Sequence, residues 1–460
     1  MKHTLAIILA LALSACAATS NRPDLKRLYA VSSADRGQNP VILIHGILGS
    51  KLRTSDGEDI WPGPFSNFVF NRLGSLALQI DPDTLTPQRG NSEAYALFDG
   101  IAGKRYYVEI RRALEEAGGY SFAEPGRSDP SNRQRYYLFV YDWRQDLVQT
   151  AAQLDDLVEQ IRSDYDDADL KVDIVAHSMG AILTRYYLRY GGKDVLGSDS
   201  FQPDQAGAAK IRKTILIAAP NMGSIRGLQV FMLGYRFGGA VLYPEILATM
   251  PSAYQLLPHP DRDWMITLDG RRLNRDLYSI ATWRGYRWSV FDPEVRNRIR
   301  KRFASQAEAD QYLALLERYF EKNLVRAKRF HRALSLPLRQ SSVRYIVFGG
   351  DCTLTPARCL VEQVNGRAYI RLYPNQIKHP RPGVDYSKLM LEPGDGNVTK
   401  PSLLARNVLD PSVPGREPGA FPLAYSVFLC DSHTGLTKNI TFQDNLLNIL
   451  LTQETTEDRI

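Results

Sequence analysis

Short apolar runs alternate with longer amphipathic stretches along the chain, and the first clear example covers residues 41–44. Val41-Ile42-Leu43-Ile44 is uniformly apolar and stops at His45-Gly46. A run of this length without polar alternation is typical of a strand that is buried on both faces. Residues 144–165 instead carry apolar side chains at three- and four-residue steps, which predicts an amphipathic helix.

The same alternation continues towards the C-terminal part of the chain. Strands are predicted at residues 41–44, 136–141, 172–176, 214–219, 343–348 and 425–429. Helices are predicted at residues 106–116, 144–165, 179–190 and about 436–451. Because such connections are right-handed and lay helices on both faces of a sheet, the pattern predicts an α/β fold with a mostly parallel central sheet.

Two stretches interrupt the alternation. Residues 52–99 are rich in Pro, Gly and aromatic residues without a long period, so we interpret them as a large surface loop, or flap. Residues 221–341 are long enough for a subdomain, and we interpret them as a cap insertion whose last part, residues 311–334, is helical. The predicted core therefore comes in two parts, residues 39–220 and residues 342–460.

Candidate chemistry first appears at Ala176-His177-Ser178-Met179-Gly180, between a predicted strand and a predicted helix. A serine on such a turn, with small residues two positions before and after it, has the pattern of a nucleophile elbow. Alanine stands at the first of these positions, where glycine is usual, and adds one methyl group. The alternative is a serine that only caps the helix. We interpret Ser178 as a nucleophile.

A serine that transfers acyl groups needs N–H donors aimed at the developing oxyanion. The N–H of Met179 is the first candidate, because it begins the helix after the nucleophile. The loop after the first strand should supply the second donor, and we assign it to Ile47, with Leu48 as the nearest alternative. His45 is interpreted as a structural side chain under this loop.

In folds with this elbow, the acid and then the histidine follow the serine in chain order. His433 follows the last predicted strand and is the only histidine after His379. It is therefore the predicted general base. The remaining histidines are less well placed, because they lie beside the nucleophile or in the insertion: His177, His259 and His331.

Two aspartates satisfy the chain order for the acid that orients His433. Asp351 directly follows a predicted strand, and Asp395 lies later, in Gly394-Asp395-Gly396. A Gly-Asp-Gly turn can present a carboxylate, but it also suits an ordinary surface turn. The residues alone leave both candidates open.

The N-terminal residues have the features of a targeting segment. A positive charge precedes an apolar stretch that is too short to span a bilayer, and Leu13-Ser14-Ala15-Cys16 closes it. This ending resembles the bacterial lipobox. It predicts a signal peptide at residues 1–15, a lipidated Cys16 and a polar tether at residues 16–38. An ordinary secretory signal with a coincidental cysteine is the alternative.

The positive charge of the chain is local. The formal net charge is +7, and residues 296–332 alone hold eleven Lys/Arg against four Asp/Glu. A basic face suits an anionic membrane surface, and the sequence has no zinc-finger spacing or RNA-binding aromatic motif that would favour nucleic acid. A solvated helix face is the simpler interpretation.

Cysteine usage predicts one structural link. Cys352 and Cys359 could close a short loop by a disulfide in an oxidising compartment, which would leave Cys430 as a buried thiol. Zinc is the other interpretation of these cysteines, but few further ligands lie near them in the sequence.

Five ordered elements of the sequence resemble the lecithin:cholesterol acyltransferase family of α/β-hydrolases. They are the strand and loop at Val41 to Leu52, Tyr141-Asp142-Trp143-Arg144, the elbow at Ala176 to Gly180, Pro251 to Pro258, and Gly394 to Val398. In this family the last element carries the acid, so the resemblance favours Asp395 over Asp351. It also implies an α/β-hydrolase fold with a large cap insertion and a lid-like loop.

The chain departs from the family pattern at three points. His45 stands where eukaryotic members usually have proline, Asn397 stands where threonine is usual, and no cysteine lies near Trp61 to close the flap by a disulfide. By analogy the aromatic stretch at residues 61–70 and the insertion would cover an acyl-chain groove. Packing inside the cap is the alternative role for those aromatic side chains.

The resemblance implies a lipid-anchored serine acyl hydrolase or O-acyltransferase. Ser178 would form an acyl-enzyme from a lipid ester, with phospholipid as the first candidate, and pass the acyl group to water or an alcohol. No metal or organic cofactor, nucleic acid or obligatory protein partner is expected. Attachment through Cys16 would place the protein in the cell envelope, at an outer membrane facing the periplasm or the outside. An esterase for small soluble esters and a non-catalytic binding scaffold are the alternatives.

Overall fold

The computed structural model describes residues 22–35, 37–64, 66–69, 73–88, 90, 92–101, 104–127, 130–237, 239–338, 340–407 and 421–452. The predicted signal peptide, residues 1–15, and Cys16 lie outside these residues, so the lipidation stays a prediction. Among the described helices, none has both the length and the apolar composition that crossing a bilayer requires.

Strands and helices follow one another along the described residues. The strands are β1 Val41–Ile44, β2 Ser50–Thr54, β3 Asp59–Trp61, β4 Ser92–Leu97, β5 Gly100–Ile101, β6 Lys104–Arg105, β7 Ser121–Phe122, β8 Arg135–Phe139, β9 Val172–His177, β10 Ile211–Ile217, β11 Tyr235–Phe237, β12 Ala240–Leu242, β13 Met265–Ile266, β14 Tyr345–Gly350, β15 Thr353–Pro356, β16 Cys359–Val364, β17 Arg367–Arg371, β18 Leu391–Gly394 and β19 Leu423–Leu429. The helices are α1 Leu25–Leu28, α2 Ser66–Val69, α3 Val108–Glu116, α4 Leu147–Asp164, α5 Met179–Tyr190, α6 Ile225–Leu233, α7 Pro244–Leu247, α8 Pro251–Gln255, α9 Ile280–Tyr286, α10 Pro293–Arg300, α11 Gln306–Ser335, α12 Tyr386–Met390, α13 Lys400–Leu403 and α14 Ile440–Leu451. Short 3-10 helices cover Ser32–Ala34, Leu73–Leu76, Ala208–Lys210, Ser289–Phe291, Pro374–Gln376 and Leu436–Lys438.

Seven parallel strands form the central sheet, in the order β19-β14-β10-β9-β1-β8-β7. The predicted α/β class with a mostly parallel sheet is confirmed. β1 lies in the interior between β8 and β9, where Ile44 is paired with both Phe139 and Ala176. Because all seven strands run in the same direction, the loops that follow them meet at one edge of the sheet.

The uniformly apolar β1 is explained by burial on both faces. Ile42 and Ile44 join the apolar cluster that includes α4 and α5, whereas Val41 and Leu43 join the cluster that includes α3 and α14. Side chains alternate across a strand, so every residue of β1 contacts a helix layer on one side or the other. A polar residue at any of these four positions would lose water without gaining a partner.

The segment between β10 and β14 is mostly helical and contains α6 to α11. The long helix α11 buries an apolar stripe that includes Leu316, Phe320 and Leu324. Arg326 on the same helix forms ion pairs with Asp146, which caps α4, and with Asp194, at 2.7 Å from the second carboxylate. Charged and apolar contacts together therefore hold α11 against the core.

Residues 52–99 differ from the surface loop predicted for them. β2, β3 and β4 form a small antiparallel sheet, and Trp61 at the end of β3 is 1% exposed. Its ring contacts those of Phe68, Phe98 and Trp143 edge-on, with centroids 5.6 to 6.0 Å apart. β2, β3 and β4 mix polar and apolar residues and contain no continuous apolar run like the one that identified β1. Trp61 therefore packs in the core and does not lie on a surface flap.

Part of the predicted tether contacts the core. Leu25 of α1 is buried, and the hydroxyl of Tyr29 donates to the carbonyl and to the carboxylate of Asp444 in α14, at 2.8 and 2.7 Å. The side-chain amide of Gln38 donates to the carbonyl of Leu451 at 3.3 Å. Leu25, Tyr29 and Gln38 therefore attach this part of the chain to the folded structure.

The disulfide differs from the predicted Cys352 to Cys359 pair, which is wrong. Cys352 is bonded to Cys430, with 5.0 Å between their Cα atoms, and Cys359 is a free, buried thiol. β14 and β19 are adjacent parallel strands that end in register, so the residues just beyond them lie side by side. Cys359 opens β16 instead, where its Sγ donates to the carbonyl of Trp264.

Candidate active site

Ser178 occupies a sharp turn between β9 and α5. Its φ of 54° and ψ of −120° lie in a region that residues with a side chain seldom adopt. The turn depends on close backbone approaches. A Cβ at Gly180 would lie 2.4 Å from the carbonyl oxygen of His45, and a Cβ at Gly46 would lie 2.8 Å from the Cβ of Ser178. Glycine at both positions lets the loop after β1 come close to the serine.

The structure brings Ser178, His433 and Asp395 together in one hydrogen-bonded line. His433 Nε2 lies 2.9 Å from Ser178 Oγ, and His433 Nδ1 lies 2.8 Å from Asp395 Oδ2. Because a carboxylate can only accept, Nδ1 carries the proton in the neutral ring and Nε2 is free to accept from the serine hydroxyl. This is the tautomer that a general base for Ser178 needs.

Asp395 is fixed at both its side chain and its backbone. Its second carboxylate oxygen accepts from the N–H groups of Asn397 and Val398 at 2.9 and 2.7 Å, and its carbonyl accepts from the N–H of His433 at 3.0 Å. The carboxylate therefore cannot turn away from the imidazole without breaking two further hydrogen bonds. The competing candidate, Asp351, pairs instead with Lys400 at 2.7 Å.

Two N–H groups of the loop after β1 already donate to other acceptors, which leaves fewer candidates for the oxyanion donor. The N–H of Gly46 donates to the hydroxyl of Tyr107 at 2.9 Å, and the N–H of Gly49 closes a turn onto the carbonyl of Gly46 at 3.1 Å. Ile47 and Leu48 lie between these two engaged groups. Met179 is the first residue of α5, where the N–H has no acceptor within the helix.

Trp61 supports this loop from the side. Its indole N–H donates to the carbonyl of Leu48 at 3.2 Å, and Leu48 has a φ of 63°. The tryptophan therefore helps to hold a backbone conformation that leucine adopts only under constraint. The sequence pattern placed Trp61 in the flap and contained no sign of this contact.

His45 is a structural side chain, as predicted. Its ring stacks on that of Tyr141 with centroids 4.1 Å apart, and the hydroxyl of Tyr141 donates to its carbonyl at 2.8 Å. Burial lowers the pKa of His45 to about 4, so the ring is neutral near pH 7. Of the other histidines that we considered for the base, His259 is hydrogen-bonded to Ser335 at 2.8 Å, within the insertion.

His177 and Tyr107 form a second buried group beside the serine that sequence reasoning missed. His177 Nε2 contacts the backbone carbonyl of His433 at 3.1 Å, and its Nδ1 contacts the hydroxyl of Tyr107 at 3.1 Å. Burial, with a smaller contribution from His433, lowers the pKa of His177 to about 3. Nothing in the sequence near Tyr107 indicates that it reaches a residue seventy positions away.

The described residues contain no cluster of three or more His, Cys, Asp or Glu side chains arranged to hold a metal ion. A cavity of about 700 Å³ lies between β4 and α4, and its lining includes Asp142, Gln145, Gln149 and Asp156. That lining contains neither Ser178 nor His433. The cavity therefore belongs to a different part of the surface from the serine.

A parallel sheet with a serine elbow after β9 and a histidine after the last strand is the architecture of the α/β-hydrolases. Within that class, the family model described as lecithin:cholesterol acyltransferase matches residues 132–322. The family resemblance predicted from the sequence is confirmed over that part of the chain.

A curated relative points to the same family. Lecithin-cholesterol acyltransferase-like 4 of Arabidopsis thaliana is 26% identical over 263 residues, which is 50% of this chain and 45% of the relative. The match thus spans less than half of that relative's length.

A solved structure supports the fold. A chain of the Tle4–Tli4 complex superposes with a TM-score of 0.55 at 15% identity, over 90% of this chain and 98% of that chain. Lipase 1 from Pelosinus fermentans matches over 91% of this chain and all of its own, at 13% identity and a TM-score of 0.38. At 15% identity, the first superposition concerns the fold alone.

Proposed function

We propose that this protein is a serine acyl hydrolase or O-acyltransferase that cleaves lipid esters through an acyl-enzyme on Ser178. The observation that carries the proposal is the line of hydrogen bonds from Ser178 Oγ through His433 to Asp395, at 2.9 and 2.8 Å. A strained serine, a neutral imidazole in the right tautomer and a buried carboxylate are the parts that nucleophilic acyl transfer requires.

In the first half of the proposed reaction, Ser178 Oγ attacks the ester carbonyl as its proton passes to His433 Nε2. The imidazolium that forms is stabilised by Asp395, which is 2% exposed and so acts on it with little screening by water. The tetrahedral intermediate then collapses. The bond to the leaving alcohol breaks, and that alcohol takes the proton from His433.

In the second half, water or an acceptor alcohol attacks the acyl-enzyme. His433 removes a proton from the attacking oxygen, and Ser178 leaves with that proton when the new tetrahedral intermediate breaks down. The same side chains, Ser178, His433 and Asp395, act in both halves of the reaction. Whether an acid or a new ester is released depends on which nucleophile reaches the acyl-enzyme.

The oxyanion in both steps would accept hydrogen bonds from the N–H groups of Met179 and Ile47. Met179 is proposed because it opens α5 next to the nucleophile, where helix geometry leaves its N–H without an intrahelical acceptor. Ile47 is proposed because the N–H groups of Gly46 and Gly49 on either side of the turn are engaged elsewhere. Leu48 is the alternative to Ile47 within the same turn.

The substrate class is proposed from the family match. A lipid ester fits the matched family, which is described as lecithin:cholesterol acyltransferase, and the curated relative, which is described as lecithin-cholesterol acyltransferase-like. We propose phospholipid as the acyl donor, and attachment to an envelope membrane through a lipidated Cys16 would keep the enzyme near it. Mass spectrometry of the N-terminal peptide, with Cys16→Ser as the control, tests that attachment.

The decisive test of the reaction is product analysis. The purified protein is incubated with phosphatidylcholine vesicles and a long-chain alcohol, and the lipids are followed by mass spectrometry. Wild type should release free fatty acid or form a new ester, and Ser178→Ala should do neither. Equal products from both proteins would overturn the mechanism. Hydrolysis of short soluble esters without any attack on vesicles would replace the lipid substrate by a soluble one.

A further inference from the structure

A buried chain of hydrogen bonds runs beside the serine from the loop after β1 to the backbone of the histidine. The N–H of Gly46 donates to the hydroxyl of Tyr107 at 2.9 Å, and that hydroxyl contacts His177 Nδ1 at 3.1 Å. His177 Nε2 contacts the carbonyl of His433 at 3.1 Å. Tyr107 and His177 are both buried, at 7% and 6% exposure, so water is a poor substitute for these contacts.

The direction of every hydrogen bond in this chain follows from what each atom can do. The carbonyl of His433 can only accept, so His177 Nε2 must carry the proton. The ring is neutral because its pKa is lowered to about 3, so Nδ1 has a lone pair and the hydroxyl of Tyr107 must donate to it. The oxygen of Tyr107 then accepts from the N–H of Gly46. One arrangement satisfies all four groups.

The two ends of this chain of hydrogen bonds are Gly46 and His433. They belong to the two loops that must meet at the reacting carbonyl. Gly46 directly precedes Ile47 in the proposed oxyanion turn, and His433 supplies the proposed base. These elements lie far apart in sequence, and each is the loop after a different strand. A rigid link between them would fix the distance from the oxyanion donor to the imidazole.

We propose that Tyr107 and His177 are positioning residues that hold the turn at Gly46 and the backbone of His433 at the spacing that acyl transfer needs. This inference rests on the proposed roles of Ser178 and His433. Neither residue is proposed to touch the substrate. Their effect passes through the backbone groups at the two ends of the chain.

A neutral His177 also suits its place beside the base. Its ring lies 5.2 Å from that of His433, centroid to centroid. A positive charge at this distance would oppose the imidazolium that forms on His433 during the reaction. A neutral imidazole can donate to the carbonyl of His433 without this repulsion. A lysine or arginine at the same place would donate as well, but would carry the positive charge.

Removal of the tyrosine hydroxyl tests the chain. Tyr107→Phe keeps the ring but leaves the N–H of Gly46 and the lone pair of His177 without partners. With a soluble p-nitrophenyl ester, kcat should fall roughly tenfold while KM stays within about twofold, because geometry at the reacting carbonyl is lost and binding is not. Tyr190→Phe is the matched control, since it removes an equally buried hydroxyl that donates to Ala333 at 2.9 Å, and it should keep the wild-type kcat.

Substitutions of His177 separate positioning from packing. His177→Gln can accept at one amide atom and donate at the other, whereas His177→Leu can do neither at a similar volume. The glutamine variant should therefore retain more of kcat than the leucine variant, at comparable melting temperatures. The double variant Tyr107→Phe with His177→Leu should cost about as much as the worse single variant, because both break one chain.

Two results would overturn the inference. One is a kcat within about twofold of wild type for both Tyr107→Phe and His177→Leu, measured on folded proteins. The other is strictly additive losses in the double variant, which would mean that the residues act independently. Failure of the proposed function looks different, because Ser178→Ala would then be as active as wild type.

Discussion

Hydrogen bonds join Ser178, His433 and Asp395 in one line, and two backbone N–H groups also hold the carboxylate of Asp395. The sequence predicted the serine and the histidine from their places after strands, because the elbow and the chain order are local patterns. The choice of Asp395 over Asp351 needed the family resemblance, since two aspartates satisfied the chain order. The contacts of Tyr107 could not be predicted from the sequence, because they depend on how distant segments pack.

At the residue scale, the first prediction concerns the tautomer of His433. Asp395→Asn should keep the fold but place an amide opposite Nδ1, which favours the wrong tautomer. We expect kcat to fall by about 10³-fold or more, the scale seen when a triad aspartate is lost elsewhere. Steady-state kinetics on a soluble ester measures this, with Asp351→Asn as the matched control. Equal losses in both variants would remove Asp395 from its proposed role.

A second prediction at this scale concerns pH and two buried histidines. Folding lowers the pKa of His45 to about 4 and that of His177 to about 3, both below the usual 6.5. The unfolded chain therefore binds more protons at acidic pH. The stability that these neutral rings contribute is present above about pH 6.5 and is lost as the pH falls towards the two folded pKa values.

Urea unfolding between pH 7 and pH 4 checks this expectation. Each histidine should add about 1.4 kcal/mol per pH unit to the decline in the free energy of unfolding. His45→Gln should show a shallower decline than wild type by about one such contribution. Parallel curves for the variant and wild type would contradict the buried, neutral state of His45.

At the element scale, six of the seven strands of the central sheet and the four helices packed on it were predicted within a few residues, whereas the two-residue β7 was not predicted. α5 at Met179–Tyr190 matches its prediction at both ends. The apolar runs of these strands and the helical periods of these helices are long enough to recognise in the sequence. The strands β2 to β4 were not predicted, because their sequences mix polar and apolar residues and contain no continuous apolar run. The disulfide was also mispredicted, since the register of β14 against β19 depends on pairing that no local pattern reveals.

We expect the disulfide between Cys352 and Cys430 to affect both kcat and stability. Cys430 lies three residues before His433, so its bond to Cys352 ties the loop after β19 to the loop after β14. Cys430→Ser should lower kcat by roughly threefold to tenfold, because the histidine loop gains freedom, and should lower stability by about 2–4 kcal/mol. Cys359→Ala removes a buried thiol outside any disulfide and is the control for kcat. A wild-type kcat in Cys430→Ser would show that the link does not serve the site.

At the scale of the whole molecule, the cationic segment at residues 296–332 is tied to the rest of the fold by ion pairs. Arg298 pairs with Glu245 at 3.0 Å, and Lys328 pairs with Asp276 at 2.7 Å. Arg326 reaches two carboxylates of the core. The composition correctly located this positive charge in one segment. It could not reveal that acidic side chains from distant elements form ion pairs with the segment. Arg326 attaches the insertion to the core, whereas Arg298 and Lys328 are paired within the insertion.

Arg326 provides the prediction at this scale. Its side chain is 19% exposed and bridges Asp146 and Asp194, so its loss leaves one carboxylate, that of Asp146, buried with fewer partners. Arg326→Ala should lower the free energy of unfolding by about 1–3 kcal/mol. Arg332→Ala, on the same helix but half exposed, should change it by less than about 0.5 kcal/mol. Equal effects in chemical denaturation would contradict the bridging role.

The central claim is that His433 makes the hydroxyl of Ser178 a nucleophile. Its most direct test is the mass of the protein after treatment with a fluorophosphonate, which reacts with activated serines. The account predicts one adduct, mapped by peptide sequencing to Ser178 and absent in folded His433→Ala. A folded wild-type protein that forms no adduct, or forms it at another serine, would contradict the account.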